Sequence, residues 1–151
     1  MNRASFLPIA MPLLFAALPA AGAAQTAPYK EGSVWALTMV RVKPGMDDDY
    51  LNNLRGNWQR TMQEAKRQGL VLSWRVISTD ASMPGDWNLL FMVEYRNMAA
   101  LDGVDDRFRA IAEKTVGSEQ QQRAGAVRRA DIREILGEKL GRELALRDST
   151  P

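Results

Sequence analysis

The chain has 151 residues, of which 46% are hydrophobic and 25% charged, so it can build one compact core and is too short for two ordinary domains. Lys and Arg number 20 against 18 Asp and Glu, with both signs interspersed, and this pattern does not favour binding to nucleic acid or to an acidic membrane surface. The chain has no Cys and no His, which excludes disulfides, thiolate or imidazole metal sites, Ser-His-Asp triads and His-ligated haem, so we expect no cofactor.

Residues Met1–Ala24 have the order of a secretory signal peptide. The cation Arg3 precedes an apolar run, and Ala21-Gly22-Ala23 offers a cleavage pattern of small residues. An uncleaved membrane anchor is the alternative, but prolines interrupt the segment and its apolar core is well short of the ~20 residues that a membrane span needs. We therefore predict export to the periplasm or the exterior, with no stable membrane anchor after cleavage.

After a flexible segment predicted at residues 25–33, a domain is predicted over residues 34–147, followed by a tail at 148–151. The domain opens with Val34–Val42, whose apolar residues alternate between two faces as in a strand. Asp47–Asp49 then place negative charge at the positive end of a helix dipole, which we favour over a metal-binding role for these acids. Apolar residues recur from there at helical spacing, up to Gly69.

A β-hairpin and further helices follow. Leu70–Ile77 and Trp87–Tyr95 alternate like strands and are joined by a turn-rich stretch. Val104–Thr115 has a second apolar stripe, and Ser118-Glu119-Gln120-Gln121 matches a capping box that begins another helix. For the end of the domain the pattern fits either a helix or a strand, and we place a final strand within Leu140–Arg147.

The two faces of the predicted sheet differ in character. One face is almost uniformly apolar and is the expected core beneath the helices; its residues are Val34, Ala36, Thr38, Val40, Val42, Leu70, Leu72, Trp74, Val76, Trp87, Leu89, Phe91, Val93 and Tyr95. The other face is too apolar to be left in water; its residues are Trp35, Leu37, Met39, Arg41, Val71, Ser73, Arg75, Asn88, Leu90, Met92 and Glu94. With only two main helices available, the same face of a second copy is the simplest cover, and the sequence therefore predicts an isologous homodimer.

Two segments carry a resemblance to a known family. These are Val40-Arg41-Val42-Lys43-Pro44-Gly45-Met46, which leads into the acid-started helix, and Val93-Glu94-Tyr95-Arg96-Asn97-Met98-Ala99-Ala100-Leu101, which leaves the third strand. Together with the order of elements, they resemble the dimeric α/β-barrel superfamily of ferredoxin-like folds, including its secreted members, over about Val34 to Arg147. The resemblance implies an α+β fold, a β-α-β-β-α-β antiparallel sheet with helices on one face, and a barrel formed by two copies. The superfamily includes monooxygenases, haem-degrading enzymes and chlorite dismutases, so no single activity follows from it.

Four polar residues of the second sheet face are candidate ligand-binding residues. In the expected sheet order Arg41 and Arg75 fall near Asn88, where two guanidiniums beside an amide suit an anionic or carbonyl ligand. Glu94 lies at the opposite end and is the candidate acid or base. The alternative is that the two arginines pair with carboxylates of a partner subunit and that Glu94 forms an interface salt bridge.

Two classes of function are consistent with these features. The favoured one is a non-catalytic exported module whose dimer cavity either binds a small apolar or anionic molecule or is filled by side chains. The other is a cofactor-independent monooxygenase or isomerase acting on a hydrophobic substrate, with Arg75 and Glu94 as polar anchors. Trp58 and Trp74 are interpreted as core residues. The basic segment is interpreted as a solvated helix face without nucleic-acid binding; its cations are Arg123, Arg128, Arg129 and Arg133.

Overall fold

The computed structural model describes residues 27–148, so the predicted signal peptide and the last three residues of the predicted tail lie outside the described part. The elements in chain order are β1 (Tyr29–Val42), α1 (Asp47–Gly56), α2 (Trp58–Arg67), β2 (Ser73–Ser78), β3 (Leu89–Tyr95), a 3-10 helix (Met98–Leu101), α3 (Val104–Thr115), α4 (Glu119–Ile132) and β4 (Arg133–Leu146). The four strands form one antiparallel sheet in the order β2-β3-β1-β4. This α+β arrangement is compatible with the ferredoxin-like fold expected from the sequence.

Two strands, β1 and β4, are longer than predicted. β1 begins at Tyr29, so residues 29–33 are part of a strand and the prediction of a flexible segment is wrong there. β4 begins at Arg133, well before the predicted Leu140, and it pairs with β1 along almost its whole length. Both segments are strands because they hydrogen-bond to a strand that is far away in the sequence. The local spacing of apolar residues gives no information on that pairing.

The first predicted helix is present but divided. Its acidic start is confirmed, since Asp47, Asp48 and Asp49 form the first turn of α1. α1 ends at Gly56, and α2 begins after Asn57, whose backbone has φ −119° and ψ −71°. A glycine lowers the cost of leaving helical geometry, which explains the interruption between α1 and α2.

The helix-covered face of the sheet carries the core. Half of the fourteen residues predicted for this face are buried, namely Val34, Val40, Val42, Leu70, Leu89, Phe91 and Tyr95. The prediction is wrong at two neighbouring positions: Leu72 is 38% exposed and Val71 is 2% exposed. β2 begins only at Ser73, so the strand alternation does not extend back to these two residues.

The opposite side of the sheet has no helix packed on it within residues 27–148. We call this side the open face and define it by five half-buried apolar residues, which are Trp35, Leu37, Met39, Leu90 and Met92. None of them belongs to the two buried apolar clusters formed by the described residues. Among the described helices, none is both long and apolar enough to cross a membrane.

Candidate functional site

A cavity of about 510 Å³ lies between the sheet and the helices. Residues of β1 and β3 form its floor, residues of α1 and α2 form one wall, and α4 with the start of β4 forms the other. The lining residues are Thr38, Val40, Tyr50, Asn53, Leu54, Asn57, Trp58, Thr61, Phe91, Val93, Ala112, Val116, Gln121, Gln122, Gly125, Arg128, Arg129, Arg133 and Ile135. The cavity is therefore on the helix-covered side, whereas the sequence predicted a site on the other side of the sheet.

Aromatic rings supply much of the apolar lining. The Phe91 ring lies edge-on to both Trp58 and Tyr50, with centroid separations of 5.1 Å and 6.4 Å. Trp58 also meets Trp74 edge-on at 5.2 Å. Trp58 was interpreted as a core residue; it packs in this cluster and also lines the cavity. Edge-to-face contacts are a favourable arrangement of aromatic rings, and together these rings give the cavity an apolar surface that suits a flat apolar ligand.

One end of the cavity is cationic. Arg128 and Arg129 lie near the end of α4, and Arg133 is the first residue of β4. The Arg133 guanidinium carbon lies 5.6 Å from the centroid of the Tyr50 ring. Among the described residues, none of these arginines has a carboxylate within 4.0 Å. The Nε atom of Arg133 is buried and has no hydrogen-bond partner in the same part of the chain. Arg129 and Arg133 are partly buried, whereas Arg128 is exposed. Partly buried charge that lacks a counter-ion is unfavourable, so this end of the cavity favours an anion.

Burial is the main cause of the shifted pKa values of two side chains at this end, and the positive charges modify both. Burial lowers the pKa of Arg129, and the neighbouring charges of Arg133 and Arg128 lower it further. Burial raises the pKa of Tyr50, and the nearby Arg133 and Arg129 only partly offset that rise. At neutral pH the Tyr50 phenol is therefore protonated and can donate a hydrogen bond.

The other end of the cavity carries uncharged polar groups. Gln122 donates from Nε2 to the backbone oxygen of Gly117 at 2.8 Å. The hydroxyls of Thr61 and Thr115 lie 2.9 Å apart and join α2 to the end of α3, two residues before Gly117. Asn57 lies one helical turn before Thr61 on the same wall. These side chains therefore form an uncharged polar end at the junction of α3 and α4.

The candidate residues predicted from the sequence lie outside the cavity lining. Arg41 pairs with Glu134 of β4, and Asn88 accepts at Oδ1 from the backbone N–H of Val42 at 2.8 Å. The expected approach of Arg75 to Asn88 is wrong. The strand register pairs Arg75 with Met92 instead.

Arg75 and Glu94 lie on the open face at a distance from Arg41 and Asn88. The Arg75 guanidinium carbon is 5.8 Å from the centroid of the Trp35 ring. Glu94 accepts from the hydroxyl of Ser73 at 2.5 Å. That hydrogen bond is the largest influence lowering the pKa of Glu94; partial burial opposes it, and the hydroxyl of Ser33 and the charges of Arg75 and Lys66 add to the lowering. The structure therefore divides the four predicted residues into the pair Arg41 and Asn88 and the pair Arg75 and Glu94.

Sequence reasoning missed the residues that form the cavity. The interpretation of the basic segment as a solvated face holds for Arg123, which pairs with Glu119 at the surface, and is wrong for Arg129 and Arg133. One available signal was Gly125, a glycine within a polar helix, where an ordinary solvated face would favour alanine. Within residues 27–148, acidic residues form no group of three placed to hold a metal ion.

Comparison with known proteins identifies no family. No family model matches the chain, and no curated protein matches it. The crystal structure of HapK from Hahella chejuensis is similar to this chain at 12% sequence identity, covering 78% of this chain and 99% of HapK, with a TM-score of 0.49.

Proposed function

We propose that this protein is a non-catalytic binding module for a small organic anion with a flat apolar body, held in the cavity between the sheet and the helices. The proposal rests on three arginines, Arg128, Arg129 and Arg133, which lie together at one end of a cavity with an aromatic wall. Among the described residues, none of the three has a carboxylate partner.

The physical argument is one of charge compensation. Guanidinium groups in a cavity have lost part of their hydration, and a carboxylate, sulfonate or phosphate replaces it with charge-assisted hydrogen bonds, which are about twice as strong as neutral ones. The volume of about 510 Å³ lies within the range of ordinary ligand pockets, roughly 300–1,000 Å³. The rings of Tyr50, Trp58 and Phe91 supply apolar contact for the body of such a ligand.

The proposal includes a homodimer formed through the open face. An isologous contact places Leu37, Met39 and Met92 of each copy against the same residues of the other and removes their exposed area from water. At about 25 cal/mol per Å² of apolar surface, such burial is a substantial driving force. The expected barrel of two sheets belongs to this proposal, as does export directed by residues 1–24.

The dimer is tested by introducing charge at its centre. Leu37→Glu is expected to convert the protein to a monomer in light scattering after size-exclusion chromatography, with an unchanged far-UV circular dichroism spectrum. Leu51→Glu, on the exposed side of α1, is the matched control and is expected to leave the mass unchanged. A wild-type protein that is monomeric at micromolar concentration contradicts the dimer without affecting the binding proposal.

A second candidate function is a cofactor-independent monooxygenase or isomerase acting on a hydrophobic substrate. One observation favours it: the phenol of Tyr50, protonated at neutral pH, lines the same cavity as the arginines and could serve as a general acid. The discriminating measurement is native mass spectrometry of full-length protein from its own host. An intact retained ligand supports the binding module, whereas conversion of that ligand on incubation, lost in Tyr50→Phe, supports the enzyme.

The binding proposal is tested with two fluorescent probes that differ only in charge. 8-Anilinonaphthalene-1-sulfonate carries an aromatic body and an anionic group, and N-phenyl-1-naphthylamine has the same body without the sulfonate. We expect the sulfonate to bind at least tenfold more tightly. In Arg129→Met and Arg133→Met that preference is expected to fall severalfold, while binding of the neutral probe changes little.

A matched control separates the cavity from general surface charge. Arg123→Met removes a cation from the exposed side of the same helix, where it pairs with Glu119, and is expected to leave both affinities unchanged. Equal affinities of the two probes for the wild-type protein contradict the proposal. An equal loss of sulfonate binding in Arg123→Met also contradicts it.

A further inference from the structure

The side chain of Arg129 lies back along its own helix. α4 runs from Glu119 to Ile132, and Gly125 is the residue of this helix that is buried. In an α-helix a long side chain points toward the N-terminus and covers the residue about four positions earlier, which for Arg129 is Gly125. The structure shows this contact, since a Cβ atom built on Gly125 would lie 3.2 Å from Nη1 of Arg129. The guanidinium therefore occupies the helix surface that a side chain at position 125 would cover.

A side chain at position 125 would compete with the guanidinium for this space. Ordinary van der Waals contacts of a Cβ atom are 3.4–4 Å long, so a contact of 3.2 Å is tight. The substitution Gly125→Ala would require the end of a flexible arginine side chain to move by a few tenths of an ångström. Gly125→Val adds two further methyl groups on the same Cβ atom, and we expect them to displace the guanidinium.

The backbone gives no reason for a glycine at this position. The φ angle of Gly125 is not in the positive range that favours glycine. Inside a helix glycine is, after proline, the least favourable residue, because it loses the most conformational freedom on folding. The neighbours Ala124 and Ala126 are exposed alanines on the same helix. The space required by the Arg129 guanidinium therefore accounts for the glycine.

The contact with Gly125 keeps the charge of Arg129 in the cavity. Both residues line the cavity, and Arg129 is half-buried. The positive charges of Arg133 and Arg128 act against the charge of Arg129, and water outside the cavity would hydrate the guanidinium more fully. An arginine side chain that lost its place over Gly125 would therefore turn toward solvent.

We infer that Gly125 is a positioning residue that determines specificity: it holds the guanidinium of Arg129 at the cavity and so gives the site its preference for anionic over uncharged ligands. The inference rests on the proposed binding function and assigns part of its charge selectivity to a residue that carries no charge. Gly125 acts through Arg129, whereas Arg133 contributes its charge independently from the start of β4.

The test measures charge preference in the full-length chain. The affinities of 8-anilinonaphthalene-1-sulfonate and N-phenyl-1-naphthylamine are expressed as a ratio. A side chain that only narrows the cavity weakens both probes alike, because they share an aromatic body, whereas loss of the Arg129 charge from the cavity lowers the ratio. Gly125→Val is expected to lower the ratio severalfold, about as much as Arg129→Met, and Gly125→Ala is expected to lower it less.

A matched control and a double variant assign the effect to Arg129. Ala126→Val places the same side chain at the next, exposed position of the helix and is expected to leave the ratio unchanged. In the Arg129→Met background, Gly125→Val is expected to have no further effect on the ratio, since the group that it displaces is already absent. A merely structural role of the glycine would instead lower both affinities together in both backgrounds.

A second measurement tests the contact even if Gly125→Val fails to fold. Gly125→Ala raises the helix propensity of α4 in either background. In the wild-type chain part of that gain is lost because the guanidinium must shift, whereas in Arg129→Met the shorter side chain ends before the position of Nη1. We therefore expect Gly125→Ala to raise the melting temperature more in the Arg129→Met background than in the wild type. Equal increases would overturn the inference.

The outcomes separate this inference from the proposed function. If Arg129→Met loses the preference for the sulfonate and Gly125→Val retains it, the binding function stands and Gly125 has no positioning role. If Gly125→Val lowers the ratio equally with and without Arg129, the glycine does not act through Arg129 and the inference is wrong. If the wild-type protein binds both probes equally, the proposed function is wrong and the inference fails with it.

Discussion

Replacing Arg129 by methionine should make the unliganded protein more stable. Methionine keeps an unbranched stem of similar length and has nearly the same helix propensity as arginine, so the main change is the loss of one partly buried charge. That charge is unfavourable in the folded state because burial removes its hydration and because Arg133 and Arg128 repel it. A residue that serves an anionic ligand is expected to reduce stability in this way when the ligand is absent.

The size of the effect follows from the repulsion that is removed. Like charges four residues apart on an exposed helix cost about 0.2–0.5 kcal/mol. Two unit charges about 8 Å apart at an effective dielectric constant near 20 repel by roughly 2 kcal/mol, which is an upper bound before screening by salt. We therefore expect Arg129→Met to raise the free energy of unfolding by about 1 kcal/mol, or the melting temperature by about 4 °C for a domain of this size.

Urea and thermal unfolding at low and high NaCl concentration provide the assay. The gain should shrink at 1 M salt, where the screening length falls to about 3 Å, and the part that comes from burial should persist. Arg128→Met is the matched control, since it removes a neighbouring and more exposed cation, and we expect it to change stability by less than half as much. A melting temperature that falls in Arg129→Met, or rises equally in both variants, would refute the reasoning.

Three further predictions concern the framework of the protein. Ser73→Ala removes the main hydrogen bond to Glu94 and should raise the pKa of that carboxyl in a carbon-13 NMR titration; an unchanged pKa would contradict the role of this hydrogen bond. Because the pKa of Glu94 is depressed in the folded state, its stabilising contribution is present above the unfolded-state pKa and is lost as pH falls through the folded-state pKa. Thr61→Val should cost about 1 kcal/mol in urea unfolding, since it removes the hydroxyl that joins α2 to Thr115 of α3, and an unchanged midpoint would show that this contact adds nothing. In the monomeric Leu37→Glu background, Phe91→Ala should lower the free energy of unfolding by about 3–5 kcal/mol, as expected for a buried aromatic residue. Met92→Ala, on the open face, should lower it much less in the same background, and equal losses would contradict the assignment of faces.

The sequence predicted the secondary structure of the sheet well where one face is buried. In β1 and β3, Val34, Val40, Leu89 and Phe91 alternate with residues of the open face, and burial fixes that alternation because a shift of one residue would reverse every side chain. The prediction failed where no such constraint acts. β4 is exposed at most of its positions, so its apolar spacing carries little information, and its pairing with β1 is visible only in three dimensions.

The sequence predicted a site on the open face and missed the cavity on the other side of the sheet for a physical reason. Polar residues on a predicted strand stand out because each interrupts an apolar pattern, as Arg75 and Glu94 do on the open face. A cavity between a sheet and its helices is formed by the space that side chains do not fill, and that space depends on the packing of several elements. Arg129 and Arg133 lie at a helix end and a strand start, and only the packed structure brings them beside Tyr50.

The division between the two faces is compatible with both the proposed dimer and the proposed binding cavity. Along β1, Met39 belongs to the open face and Val40 to the cavity floor, so neighbouring residues serve different surfaces through the alternation of a strand. The two buried clusters pack α1, α2 and α3 on the sheet, while α4 buries only Gly125 among its residues. Most of the core therefore forms without α4, so this helix can carry cations that have no carboxylate partner among residues 27–148 at a modest cost in stability.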